Sequence, residues 1–252
     1  MLAVQRRNLI LEMIRVDGAV SIARAAERLE TSAVTVRRDL DQMASLGLVT
    51  RTHGGAVAHG DSRETPYVDK VEQSAHEKAA MGRFAATLVN DGDTLVIGAG
   101  TTTEALALSL LDRTGLTVIT NSLPVAEAFV AAPDNEVIVT GGSLRASIRC
   151  MTGDATVSML RGVHADTTFL SGNGLAADVG LTTPALAVAD VDRVMAAASY
   201  QVVVLVDHTK VGVRTAARTV PTADIAHLVT DRASSPHELD ALRSAGVDVH
   251  VV

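Results

Sequence analysis

Aromatic residues are nearly absent from this 252-residue chain, which has no Trp, two Tyr and three Phe. So few rings leave little for unpaired bases to stack on, which argues against RNA or single strands and leaves duplex DNA as the nucleic acid to consider. Cys150 is the single cysteine, so no intrachain disulfide can form and nothing points to an oxidising compartment. No apolar run reaches membrane-spanning length, and Arg6, Arg7, Glu12 and Arg15 interrupt the apolar residues near the start. A cytoplasmic protein without a membrane partner is expected. The eight histidines show no metal-ligand spacing with Cys150 or with carboxylates, so neither a metal nor a cofactor is expected. No nucleophile stands with a recognisable base, and no repeat or low-complexity segment is visible.

The net charge of −7 is unevenly divided. Residues 1–58 carry 8 Arg against 6 Asp/Glu, a net of +2, which leaves 14 basic against 23 acidic residues, or −9, for 59–252. The acidic part repels nucleic acid; the short basic part does not. Two domains are expected from the length.

Within the basic part, Leu9, Ile10, Met13 and Ile14 recur at helical spacing, and Asp17-Gly18 ends that helix. A second helix is capped by Ser21 and carries Ile22, Ala25, Ala26 and Leu29 on one stripe. After Glu30-Thr31, the run TSAVTVRRDL begins a third, capped by Thr31 or Ser32. Counting 100° per residue, Val36, Leu40 and Met43 share one side while Val34, Arg37, Arg38 and Asp41 point away. One face packs and the other is free to touch a partner. Arginines suit phosphate or the guanine edge, Thr35 suits either, and Val34 suits a thymine methyl. Two helices joined by a tight turn form a helix-turn-helix, and Leu48–Thr52, Gly54-Gly55 and Ala56-Val57 read as a small hairpin, a wing that places Arg51 and His53 against phosphates. A helical hairpin used only for protein contacts would show the same outline.

Residues 58–74 are polar, irregular and broken by Pro66, which suits a linker. An amphipathic helix through Ala79, Phe84, Ala85 and Leu88 follows. Seven short β-rich runs then alternate with Ala- and Leu-rich stretches: 94–97, 116–120, 137–140, 167–170, 202–206, 226–230 and 247–252. Continuous apolar strands separated by helices predict an α/β domain with a mostly parallel sheet. Ligands of such sheets sit at the carboxyl ends of the strands. Here those ends carry Gly98, Gly100, Thr101, Thr102 and Thr103, then Asn121 and Ser122, Gly141 and Gly142, Asn173, and Asp207 with Lys210. The first loop reads equally as a phosphate cradle or as a Gly-rich turn with threonine caps. A dinucleotide fingerprint wants a third glycine where Thr103 stands, and a P-loop wants Gly-Lys-Ser/Thr, so NAD and ATP are disfavoured. A phosphorylated sugar or polyol fits better, with the loop and Lys210 for phosphate and the two asparagines for hydroxyls.

Thr35-x-Arg37-Arg38-Asp39-Leu40 followed by Arg51-x-His53-Gly54-Gly55-Ala56 resembles the winged helix-turn-helix of the DeoR family of bacterial sugar-catabolism repressors. The resemblance continues through Asp91-Gly92-Asp93, the threonine loop, Thr120-Asn121-Ser122, Gly141-Gly142, Gly174-Leu175, Gly180-Leu181-Thr182, Asp207-x-x-Lys210 and Thr230-Asp231. It implies a DNA-binding domain over 1–58, a linker over 59–75, and an effector-binding and oligomerising domain over 76–252. That last domain would be similar in fold to ribose-5-phosphate isomerase and the CoA transferases. It also implies a homo-oligomer, dimer or tetramer, on double-stranded operator DNA, released by a phosphorylated sugar. Two departures stand out: Gly98 replaces a common acid, and His208-Thr209 replace a common pair of serines. His208 reads as a ligand or as an exposed loop residue. The competing function is a sugar-phosphate isomerase, but the isomerases' Asp-Gly-Ala-Asp signature is missing. Gly172-Asn173-Gly174-Leu175 stands there, and the spacing of nearby Asp166 and Asp178 does not make them a catalytic pair.

Overall fold

A computed structural model of the chain describes residues 3–17, 19–45, 48–52, 54–58 and 66–252. Two compact units divide the chain, Met1–Arg63 and Glu64–Val252.

The first unit contains α1 (Ala3–Asp17), β1 (Ala19–Ser21), α2 (Ile22–Arg28), α3 (Ala33–Ser45), β2 (Val49–Thr52) and β3 (Gly55–Ala58). Its core holds Ile10, Met13 and Ile14 of α1, Ile22 and Ala25 of α2, and Val36, Leu40 and Met43 of α3, as the helical periodicity predicts. Leu9, assigned to the same stripe, is exposed. The hairpin is present, but it belongs to a three-stranded antiparallel sheet of order β1-β3-β2. Three residues, Ala19–Ser21, carry too short a pattern to read as a strand. Gly55 permits the pairing, because a Cβ there would lie 1.9 Å from the Val20 carbonyl oxygen. His53, assigned to the wing, lies outside the described residues.

In the second unit, α4 (Tyr67–Glu72) and α5 (Ala75–Ala85) come first. Residues 67–72 of the expected linker are therefore helix. Pro66, read as a breaker, is the N-cap of α4, where its missing N–H costs nothing. Then follow β4 (Thr94–Ile97), α6 (Thr101–Ser109), β5 (Thr117–Thr120), α7 (Leu123–Phe129), β6 (Glu136–Val139), β7 (Ser143–Arg145), β8 (Cys150–Thr152), α8 (Asp154–Leu160) and β9 (Ala165–Leu170). The remainder is β10 (Gly174–Ala176), β11 (Gly180–Thr183), α9 (Leu186–Ala197), β12 (Ser199–Leu205), β13 (Ala217–Val220), β14 (His227–Thr230), α10 (Pro236–Ser244) and β15 (Asp248–Val251).

Seven strands form one sheet of order β15-β14-β12-β9-β4-β5-β6, and every pairing in it is parallel. All seven β-rich runs of the sequence are in it. Two apolar cores cover its faces, one around Leu170, Val191, Met195 and Val204, the other around Met81, Leu95, Leu106 and Phe169. On the second face α5 and α6 come unusually close, since a Cβ on Gly82 would lie 2.5 Å from the Ala105 carbonyl oxygen. Two small antiparallel additions, β10-β11-β13 and β7-β8, were not legible in the sequence because their strands, such as Ser143–Arg145 and Gly180–Thr183, carry no continuous apolar run. The sheet's order sets the position of its cleft. From β4 the chain steps outward through β5 and β6, then returns to lay β9 on the other side of β4. The adjacent carboxyl ends of β4 and β9 are a topological switch point, where a crevice opens because successive connections run to opposite sides.

Candidate functional site

Helix α3 carries the candidate groove-reading surface. Ser32 Oγ accepts from the Thr35 backbone N at 3.1 Å and lies 2.8 Å from Thr35 Oγ1, so these two residues cap the helix together. Ser21 caps α2 in the same way, accepting from the Arg24 N at 3.1 Å. Arg37, Arg38 and Asp41 are exposed and Val34 is 60% exposed. Neither Arg37 nor Arg38 pairs with a described residue. Arg51 is different: its Nε donates to Asp41 Oδ1 at 2.8 Å and its Nη1 to the Gly55 carbonyl. It braces β2 against α3 and β3, with about a quarter of its side chain exposed.

Asp39 of the same motif is no reader at all. It is 5% exposed and receives Arg6 Nε and Nη2 at 2.5 and 3.2 Å. The hydrogen bond to Asp39 pushes the Arg6 guanidinium further above its usual range. Helix α3 is thereby fixed to α1 on one side, leaving its arginines free on the other.

At the switch point of the sheet a cleft of about 560 Å³, open mouth included, is lined by Gly100 and Thr101 after β4, Ser171 and Asn173 after β9, and Lys210 after β12. Thr183 and Asp192 line it from β11 and α9, and Tyr67 and Lys70 from α4. Of the residues singled out in the sequence, Gly100, Thr101, Asn173 and Lys210 come together here. Tyr67 and Lys70 were hidden in the supposed linker, and Ser171, Thr183 and Asp192 gain significance only from strand order.

Lys210 Nζ donates to Asp207 Oδ2 at 2.5 Å, and Asp207 is 2% exposed. Burial alone would raise the Asp207 pKa, but the Lys210 charge and the hydrogen bonds from Lys210 and Thr209 outweigh it and hold the carboxyl below its ordinary range. Asp207 thus positions the lysine. Behind it lies Lys78 of α5, 3% exposed, whose Nζ donates to the Lys70 and Gln73 carbonyls and ties α4 to α5. Burial, then the nearby Lys210 charge, pushes the Lys78 pKa down to about 8. Tyr67 donates to Glu104 Oε2 at 2.6 Å, and the Arg149 guanidinium sits 4.4 Å above its ring. Burial and that bond raise the phenol's pKa, keeping it a neutral donor.

The other sequence candidates lie outside the cleft lining. Gly98 is buried, and a Cβ there would lie 2.6 Å from Leu170 Cδ2, so a larger residue would require that leucine side chain to move. Thr103 caps the loop by donating to the Gly100 carbonyl at 2.9 Å. Asn121 joins β5 to β8 through Met151, and Ser122 caps α7. Gly141 and Gly142 are exposed, with the Gly141 carbonyl accepting from Thr156. Thr102 Oγ1 and Asn121 Oδ1 are buried without a hydrogen-bond partner among the described residues. His208 is held by Asp231, its backbone N at 2.7 Å and its Nδ1 at 3.1 Å from the carboxylate oxygens, which favours the loop reading over the ligand reading.

Both units match models of known protein families. Residues 6–61 match the family model described as a DeoR-like helix-turn-helix domain, and residues 73–232 match the DeoR C terminal sensor domain. The transcriptional regulator YgbI of Escherichia coli is 35% identical over 92% of this chain and 91% of its own. The glycerol-3-phosphate regulon repressor of Escherichia coli is 34% identical over 82% of each chain. The lactose phosphotransferase system repressor of Streptococcus mutans is 31% identical over 90% of this chain and 91% of its own. Ribose-5-phosphate isomerase of Methanocaldococcus jannaschii aligns over 53% of each chain at 16% identity and a TM-score of 0.40, too loosely to transfer any property. The named relatives are regulators and repressors, which supports regulation over the isomerase alternative. The chain belongs to the DeoR family of transcriptional regulators.

Proposed function

We propose that this regulator represses a sugar or polyol catabolic operon by binding double-stranded operator DNA through α3, and that a phosphorylated sugar or polyol seated in the switch-point cleft releases it. The observation that carries the reading is the cleft itself: the N-terminus of α6 at Thr101, with its unpaired backbone N–H groups, and the Lys210 ammonium line one crevice. Asn173 and Ser171 add side chains suited to hydroxyls, and Lys70 adds a further cation. A dianionic phosphate with a polyhydroxyl tail matches that donor set.

In this reading Ser21, Ser32 and Thr35 contribute backbone geometry and phosphate contact, Arg37, Arg38 and Val34 read the groove, and Arg51 and His53 follow the backbone. The second unit binds effector and forms the homo-oligomer, a dimer or tetramer, because two reading helices must meet successive half-sites. The protein acts in the cytoplasm; among the described residues no helix is long and apolar enough to cross a membrane. Effector action needs no direct contact with DNA, since a ligand that prefers one arrangement of the protein shifts the population that binds the operator.

The test is operator binding by the full-length protein with and without a panel of sugar and polyol phosphates, read beside thermal shift. One of them is expected to raise the melting temperature and weaken operator binding. Lys210→Ala is expected to keep operator binding and lose the response. A response retained in full by that variant would remove the cleft from the mechanism.

A further inference from the structure

At the opposite edge of the sheet from β6, the parallel register of β14 and β15 sets His227 beside Asp248 and Val229 beside His250. Side chains two apart on a strand share a face, so His227, Asp248 and His250 emerge together on the side where Val229, Val252 and Phe84 pack. His227 Nδ1 lies 3.2 Å from His250 Nε2 and 3.4 Å from Asp248 Oδ2, and His250 Nε2 lies 3.4 Å from that same oxygen. The three donor atoms form a nearly equilateral triangle.

That triangle has a chemical meaning. Ligands about 2.0–2.1 Å from a tetrahedral zinc ion stand about 3.3–3.4 Å from one another, the edge of the tetrahedron. Without an ion, a proton shared between the two imidazoles with Asp248 paired to its charge would give the same contacts, and metal titration separates the two arrangements. Phe84 lies against the His250 ring, with centroids 4.8 Å apart, and helps set its orientation. The histidine side chains are 25% and 22% exposed and Asp248 is 64% exposed, so an ion can enter from solvent.

We propose that His227, Asp248 and His250 bind one divalent metal ion of the zinc class through two imidazole nitrogens and one carboxylate oxygen, with a fourth position open to solvent. Two nitrogen ligands select zinc, cobalt, nickel or copper over magnesium and calcium, which take oxygen. The ion bridges β14 to the edge strand β15. Sequence spacing concealed the site, because 20 residues separate His227 from Asp248 and only strand pairing brings them together.

The experiment uses the full-length protein, purified without a polyhistidine tag and stripped with chelator, titrated calorimetrically with Zn²⁺, Co²⁺ and Mg²⁺. One Zn²⁺ per chain is expected, with Co²⁺ taking on the intense visible absorption of a tetrahedral site and Mg²⁺ not binding. His250→Gln and Asp248→Asn are each expected to weaken Zn²⁺ binding at least tenfold. Zn²⁺ is also expected to raise the melting temperature of the wild type, since it binds the folded form, and not that of the variants. Asp248→Asn changes a largely exposed side chain and is expected to leave the metal-free melting temperature in place, so that weaker binding there separates from misfolding. Absence of Zn²⁺ binding, equal binding of Mg²⁺, or Zn²⁺ binding unchanged in both variants would overturn the site.

Discussion

The cations of the two units are held in opposite ways. Arg37 and Arg38 stand exposed on α3 with no described partner, while Lys210 is bound to a buried carboxylate and Lys78 is buried behind it. Open charges suit a polyanion that arrives from outside and displaces counterions, and their grip weakens with salt. A pre-paired lysine suits a small ligand that must be oriented as well as attracted. The same contrast repeats inside the first unit, where Asp39 and Arg6 anchor α3 so that its neighbours can remain uncommitted.

Breaking the contrast at its open end has the largest expected effect. Arg37→Ala with Arg38→Ala should cost about 1–3 kcal/mol for each side chain that meets a base edge and flatten the salt slope by about one unit for each lost phosphate contact. The melting temperature should stay put, and unchanged operator affinity in a filter or anisotropy assay would sink the reading-helix assignment. Asp39→Ala should lose operator binding by the other route. It leaves Arg6 without its partner and should destabilise the first unit by about 3 kcal/mol, visible as a lower unfolding midpoint. Were it to abolish DNA binding at unchanged stability, Asp39 would itself be a reader.

At the paired end, the effects appear in pH. Asp207 has a folded pKa below that of an unfolded Asp, about 3.9, so its contribution is complete above that value and is lost as pH falls through the lowered folded value. In Lys210→Ala burial acts without the countercharge, and the acid unfolding midpoint should move to higher pH. An unmoved midpoint would mean that the pair contributes nothing. Lys78 acts at the alkaline end. With a folded pKa of about 8 against 10.5, the folded state binds fewer protons across that interval, so stability should rise with pH from about 8 to 10.5. Lys78→Met should erase that slope in denaturant titrations at several pH values.

The main sheet was legible because buried parallel strands are continuous apolar runs, and Thr94–Ile97 emerges as predicted to the residue. The α2 and α3 caps were legible because they are local. What sequence could not carry is anything made by distant partners. Asp39 sits within a recognisable motif, yet its burial depends on Arg6, 33 positions away. Gly98 suggested ligand approach, but its neighbour Leu170 comes from β9. Asn173 and Lys210 are recognisable as strand ends, while their convergence depends on β9 lying beside β4. Pro66 misled for a local reason: proline breaks a helix inside it and begins one at its edge.

Helix α4 supplies Tyr67 and Lys70 to the cleft, is clamped at its far end by Lys78, and starts three residues after Glu64, where the second unit begins. One wall of the candidate cleft is thus also the first described helix of the second unit in chain order. In the proposed function, a ligand seated against Tyr67 and Lys70 would touch the first helix of the second unit. The quantity to measure in a released repressor is the protection of the α4 amides from exchange, with the ligand and without it.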